Sequence, residues 1–279
     1  MTYRSIFVQV DDTEPCAHRL DYAARLARKY PAELLGAYIV PPSELTPYAT
    51  AVMSQDSIDR YLRQLADAKG AAETAFRAAT ERAGVTAVEW RVPAGNPIGQ
   101  AVLHARHSDL AIVGQPPRDD PKAPFPAELA NAVVMRCGRP VLFLPSVGEY
   151  TTIGERVLIA WKDSRESVRA VADALPLLKD AKKVFAVAIT PEFDETARER
   201  FTDAQLAAFL RRHDVDATVR RIFAADIEAG ELLLSQAADY GVDLIVMGAY
   251  SRPRLTELVW GGVTRVMLSS MTAPVLMSH

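Results

Sequence analysis

The chain has 279 residues, 49% hydrophobic and 24% charged, with 32 Lys and Arg against 35 Asp and Glu for a net charge of −3. That length suits two domains of ordinary size, and the slight acidic excess argues against nucleic acid, whose phosphates need clustered Lys and Arg. No apolar run is long enough to cross a bilayer, and the opening MTYRSIFVQVDD turns acidic too soon for a signal-peptide core, so no membrane association is expected. The cysteines, Cys16 and Cys137, form no ligand spacing and cannot build a disulfide framework, which fits a cytoplasmic protein in a reducing compartment.

The first predicted strand lies in SIFVQVDDTEP, Ser5 to Pro15, a β-rich run that gives way to polar turn residues and then a helix near Glu14. Asp12 is the expected N-cap of that helix. The Asp11-Asp12 pair also invites a receiver-domain reading with bound magnesium. Such a domain needs an Asp ending the third strand and a Lys ending the fifth, where RVPAGNP and FLPSVG stand. A second strand follows at Glu33 to Val40, then the insertion PPSELTPYATAVMSQDS, a helix from about Ile58 to Ala83 and a third strand at Ala87 to Pro93. The next helix begins after Asn96 with Pro97 as its first residue, and His104 and His107 lie near its end. Two histidines three apart suggest a metal pair; partly charged histidines near a helix C-terminus are the commoner explanation, and no Cys or closely spaced carboxylate pair completes a site. DLAIVG, Asp109 to Gly114, reads as a buried fourth strand, followed by the proline-rich loop RDDPKAPFPAE, a helix, and the last strand PVLFLP, Pro140 to Pro145.

After a linker at Ser146 to Glu155 the pattern starts again. RVLIAWKDSRE, Arg156 to Glu166, matches the first strand and its turn; further strands are read at Lys183 to Thr190, Ala217 to Phe223 and DLIVMG, Asp243 to Gly248. One gap-free offset pairs Gly114 with Gly248 and PVLFLP with PVLMSH, Pro274 to His279. Two domains are therefore expected, residues 1–147 and 153–279, with a boundary near Thr151. Strands alternating with helices imply right-handed parallel βαβ units, so each copy is expected to be an α/β doubly wound five-stranded parallel sheet. Ligands of such sheets collect beyond the carboxyl ends of the strands where crossovers diverge.

In the second copy that rule selects GAYSRPRLTELVWGGVTRVMLSS. Gly248 opens a loop, and Gly261-Gly262 precede a helical pattern beginning near Val263. Free backbone N–H groups, a positive dipole end and glycine's close approach suit a di- or triphosphate there. Thr264 adds a hydroxyl, and Arg252 and Arg254 could supply cationic donors. The plainer alternative is a helix N-terminus with solvated arginines. Ala160-Trp161-Lys162-Asp163-Ser164 ends the first strand of this copy beside the same crevice; it offers Asp163 to a ribose hydroxyl, or serves as a polar turn in which Asp163 or Ser164 caps the next helix.

The glycine spacing resembles the universal stress protein family, which carries a glycine, two residues, a glycine, nine residues, and a glycine followed by Ser or Thr. Gly248 and Gly261 fall at the first and third glycines; Val263-Thr264 and PVLM are similar too. Ser251 departs at the second glycine and Gly262 at the hydroxyl, departures that cost about 1 kcal/mol each. The resemblance implies an adenine nucleotide alpha hydrolase-like fold and a stress-response regulator binding ATP, with or without Mg2+, or another adenine nucleotide. It also implies backbone contacts to adenine around Ile189, domains paired through their last strands, and room for a homodimer. In the first copy Pro117, Ala127 and Glu128 stand opposite Ser251, Gly261 and Gly262, so that copy is expected to bind no nucleotide. No nucleophile, general base or catalytic motif is nominated, which limits turnover to slow ATP hydrolysis. The alternative is a nucleotide-free interaction protein of the same fold. The three tryptophans, Trp90, Trp161 and Trp260, are scattered along the chain and are expected to pack in the core or at a crevice edge.

Overall fold

The computed structural model describes residues 2–41, 53–116, 125–190, 203–223, 228–249 and 262–279. The first half contains β1 (Ser5–Val10), α1 (Cys16–Lys29), β2 (Glu33–Tyr38), α2 (Gln55–Ala83), β3 (Val88–Arg91), α3 (Pro97–Arg106), β4 (Leu110–Gly114), α4 (Phe125–Cys137) and β5 (Val141–Leu144). The second contains β6 (Arg156–Trp161), α5 (Arg165–Asp180), β7 (Lys183–Thr190), α6 (Asp203–Arg212), β8 (Ala217–Phe223), α7 (Ala229–Asp239), β9 (Leu244–Gly248), α8 (Gly262–Ser270) and β10 (Val275–Ser278).

The ten strands among the described residues form one sheet in the order β3-β2-β1-β4-β5-β10-β9-β6-β7-β8. Each half has the order 3-2-1-4-5 of a doubly wound domain, parallel throughout, and the halves join where β10 runs antiparallel to β5. Leu276 faces Leu142 in that register, with Val275 opposite Phe143 and Met277 opposite Val141. Leu142 and Leu276 hold the same place in the two copies, so the join is a pseudo-twofold axis inside one chain. The expected pairing through the last strands is what the fold adopts.

The central strands are buried on both faces, which explains their unbroken apolar runs. One face packs against α1, α2, α5 and α6, the other against α3, α4, α7 and α8, and both apolar clusters run through the join. Polar groups tie the halves on the first face. The Tyr3 hydroxyl donates to the Asp173 carbonyl at 2.7 Å, and the Tyr30 hydroxyl to the Pro176 carbonyl at 3.0 Å and to Asp180 at 2.9 Å. Arg25 donates to the carbonyls of Tyr150 and Thr151 in the connecting segment.

The repeated Asp-Leu pair has a structural cause. Asp109 accepts the backbone N–H groups of Arg4 and Ser5 at 2.8 and 3.1 Å, and Asp243 those of Arg156 and Glu155 at 2.8 and 3.0 Å. Each carboxylate therefore pins the start of its copy's first strand beside the fourth. These contacts lie at the amino ends of the strands, away from the candidate site.

Candidate functional site

The crossovers diverge between β1 and β4 in the first half and between β6 and β9 in the second. Beyond the carboxyl ends at these two places the copies differ.

In the first half the crevice is filled by the protein's own side chains. Arg19 projects from the first turn of α1, 3% exposed, and donates from Nε to the Gln9 carbonyl at 2.8 Å. Its Nη2 lies 2.8 Å from Asp11, whose carboxylate also accepts from the Gln9 amide at 2.8 Å and from Thr13. The Gln9 amide reaches the Ile39 carbonyl at 3.2 Å as well, joining the ends of β1 and β2. Burial alone would raise the Asp11 pKa; the Arg19 guanidinium and the Thr13 and Gln9 hydrogen bonds outweigh it and hold the carboxyl below its usual range. Gly114 at the end of β4 is glycine because Arg19 lies over it: a Cβ there would meet the guanidinium at 2.2 Å.

Asp12 does not cap α1. The N-cap is Pro15, with no side-chain cap bond, and the Asp12 carboxylate instead accepts the Tyr38 hydroxyl at 2.7 Å from the end of β2. The helix starts at Cys16, later than Glu14, because Asp11 folds the intervening turn through its bond to the Thr13 amide. Glu128 lies in the first turn of α4, with Ala127 beside it; Pro117 is outside the described residues.

In the second half the positions of Gln9, Asp11 and Arg19 are held by Ala160, Lys162 and Ala170. Nothing of comparable reach projects from these alanines. Lys162 and Asp163 are exposed at the end of β6, and Ser164 is the N-cap of α5, its hydroxyl accepting the Ser167 N–H at 3.3 Å. Of the two capping candidates, Ser164 takes the role, and the Asp163 carboxylate is left at the crevice rim. Ala160 lies in register with Met247 and Trp161 with Ala188, so the ends of β6, β9 and β7 stand side by side and Ile189 comes one residue further along β7. Trp161 is half-buried against the cluster under α5, and Trp90 packs on Phe76 with ring centroids 5.4 Å apart. Trp260 is outside the described residues.

Gly248 has a packing role. A Cβ there would lie 2.6 Å from backbone atoms of Glu166 and Ser167, so the missing side chain lets the first turn of α5 close on β9. At Gly262, exposed in the first described turn of α8, no described residue lies within 4 Å of where a Cβ would stand. The helix therefore extends at least one residue before Val263. Val263 is half-buried and Thr264 buried beside it. Ser251, Arg252, Arg254 and Gly261 lie outside the described residues.

Two further residues meet here that the sequence reading passed over. Glu166 is buried in the first turn of α5; burial would raise its pKa, but its own backbone N–H, the Ser164 hydroxyl and the charges of Arg165 and His279 bring it below the usual carboxylate value. His279, beyond β10, places Nδ1 3.1 Å from the Ala249 carbonyl. Among the described residues no group of His, Cys, Asp or Glu could hold a metal ion, His104 and His107 included. No described helix is long and apolar enough to cross a membrane.

Two doubly wound halves, joined edge to edge and each with a switch point, define a tandem α/β protein. The universal stress protein family model matches residues 2–145 and again 154–279, and the chain belongs to that family. Among solved structures, a universal stress protein from Archaeoglobus fulgidus DSM 4304 superposes with a TM-score of 0.74 at 14% identity, covering 98% of this chain and 95% of that one. A protein of unknown function from Pseudomonas aeruginosa PAO1 gives a TM-score of 0.61 at 15% identity, with 99% and 92% covered. At these identities the likeness is one of fold. No curated protein matches the sequence.

Proposed function

We propose that this protein is a stress-response regulator whose second domain, residues 153–279, binds ATP or another adenine nucleotide, and whose first domain, residues 1–147, is its structural partner. The observation that carries the reading is the contrast between the two crevices. Where Arg19, Gln9 and Asp11 bridge the strand ends in the first, Ala160 and Ala170 stand in place of Gln9 and Arg19 in the second, so no such bridge can form from these two positions. The residues present fit a nucleotide: Asp163 at the rim for a ribose, the backbone around Ile189 for adenine, and the start of α8 at Gly262, Val263 and Thr264 for phosphates. Gly261, Ser251 and Arg252 complete the expected set through their place in the sequence, and Gly248 holds α5 against β9 beside it. Mg2+ would travel with the triphosphate, since the described residues offer no metal cluster of their own.

On this reading the protein works in the cytoplasm, with any hydrolysis slow because the sequence nominates no residue to activate water. A homodimer would use another surface, because the last strand of each domain is already paired within the chain.

The test is calorimetric titration of the full chain with ATP and magnesium, beside Gly262→Glu, which imports the charge of Glu128 where no described residue lies within 4 Å of a Cβ. Saturable binding that weakens by about tenfold or more in the variant supports the proposal, since a carboxylate at the helix start repels the phosphates. Identical titrations, or none with the native chain, refute it and favour the nucleotide-free interaction protein.

A further inference from the structure

The apolar layer under α8 is built differently from its counterpart under α4. Carried through α8, the offset that pairs Gly114 with Gly248 sets Met247, Met267, Met271 and Met277 opposite Val113, Val133, Cys137 and Phe143. All eight side chains are buried in the layer between the sheet and the helices α3, α4, α7 and α8. Met247 and Met277 are neighbours in register on β9 and β10, and Met267 and Met271 lie one turn apart on α8 and just beyond it. Four of the chain's seven methionines therefore fall where the first domain uses branched, aromatic and thiol side chains. Methionine is unbranched and turns about three bonds, so it refills a space whose walls move; valine and phenylalanine are stiffer.

The ends of the two helices are also held differently. The last turn of α4 is bonded within its own domain: the Arg106 guanidinium donates to the Arg136 carbonyl at 2.9 Å, and Arg139 to the Arg106 carbonyl at 3.2 Å. Tyr240, Ser270 and Ala273 stand in place of these arginines in the second domain. The last turn of α8 is bonded across the join instead. Gln115, the residue after Gly114, donates from its side-chain amide to the Leu268 carbonyl at 2.8 Å, and its oxygen accepts the Ser146 N–H at 2.9 Å. Ala249 holds the matching place in the second domain, and its side chain cannot form this tie. Within its own domain α8 meets α7 closely at Gly230, where a Cβ would lie 2.8 Å from the Val266 Cβ, a crossing about which the helix can turn.

We infer that α8 is a displaceable element: it shifts over β9 and β10 on the methionine layer, a ligand at its first turn selects one position, and Gln115 carries the shift into the first domain at the end of β4. A movement of about 1–2 Å, the size of helix shifts in switching proteins, needs only new methionine rotamers. α4, on a stiff layer and pinned by Arg106, stays fixed. The ligand step rests on the nucleotide reading; the displaceability of α8 does not.

The first test needs no ligand. With methyl-labelled methionine in the full chain, relaxation-dispersion NMR is expected to show microsecond-to-millisecond exchange at Met267 and Met271. Hydrogen exchange over residues 266–270 is expected to be about tenfold or more faster than over residues 132–136, the matching stretch of α4. Met267→Leu with Met277→Leu, which keeps volume and branches the side chains, is expected to slow that exchange about threefold or more, with circular dichroism confirming the fold. Static methyls, equal exchange in the two helices, or no slowing in the folded variant overturns the inference, and a variant that does not fold leaves the decision to the native comparison. The second test adds ATP and magnesium. The Ser146 amide resonance is expected to shift in the native chain and to shift about threefold less or not at all in Gln115→Ala, which binds ATP as the native chain does. ATP that binds without moving this resonance, or moves it equally in the variant, overturns the coupling. ATP that does not bind removes the ligand step together with the nucleotide reading, and the first test alone then decides whether α8 moves.

Discussion

Replacing Arg19 by alanine, the residue at the matching position of the second domain, removes the plug of the first crevice. The guanidinium is 3% exposed and Asp11 is 16% exposed, so the pair is largely withdrawn from water. Breaking a buried pair from one side costs about 3–5 kcal/mol, because the surviving charge keeps its desolvation without its partner. Asp11 retains Thr13 and the Gln9 amide, and water can enter the space left, so the lower end, about 3 kcal/mol, is expected. In a domain of this size that corresponds to a fall in Tm of about 6–12 °C by calorimetry. The sign with pH follows from the lowered folded pKa of Asp11. Its contribution is present above the ordinary carboxyl value of 3.8 and is lost as pH falls through the folded value, so native and variant should converge in acid. Replacing both partners, Arg19→Met with Asp11→Leu, should recover much of the loss, since the desolvation cost then disappears as well. A single variant less than about 1 kcal/mol below the native chain, or a gap unchanged in strong acid, would show that the network carries little of the first domain's stability.

Gly248→Ala should destabilise the second domain by about 1–3 kcal/mol, the usual range for overpacking. The new methyl would lie 2.6 Å from backbone atoms of α5 that cannot swing aside, and a Tm equal to the native chain's would contradict this. His104 has a folded pKa below its ordinary 6.5, so the unfolded chain binds its proton first and stability should decline as pH drops below 6.5. Urea midpoints between pH 7.5 and 5.5 should fall more steeply for the native chain than for His104→Gln; parallel slopes would dismiss the effect.

The architecture is legible in the sequence because it rests on strongly patterned runs. DLAIVG with DLIVMG, and PVLFLP with PVLMSH, identify a repeat, and buried parallel strands leave few alternatives for such runs. The crevice was less legible. Arg19 lies in CAHRLDYAARLARK on the stripe that buries Cys16, Leu20, Ala23 and Ala27, and a charge on an apolar stripe is a signal that was available. Its partners Gln9 and Asp11 belong to another element, and only the folded register brings them within reach. Gly248 carries a second demand that its motif position does not reveal: close packing against α5. Asp12 was given a cap because of its place before a helix, and Tyr38, distant in sequence, claims it instead.

The halves resemble each other where they must fit together and differ where they need not. The central contact pairs Leu142 with its own equivalent, Leu276, so a change at that position in either copy alters the axis for both. The clamps on the first strands, Asp109 and Asp243, obey the same constraint, since losing either frees the start of a strand that borders the switch point. At the carboxyl ends the copies keep Gly114 with Gly248 and Asp12 with Asp163 but differ at Gln9, Asp11 and Arg19. Within a single chain only one crevice has to receive a ligand for the molecule to respond, and the other can exchange it for internal bonds. Arg19, Gln9 and Asp11 supply such bonds, holding β1 and β2 to α1 permanently, as a bound molecule in that crevice would do only while it stayed. On the proposed function, a response to ligand falls to the side on which Ala160 and Ala170 stand in place of Gln9 and Arg19.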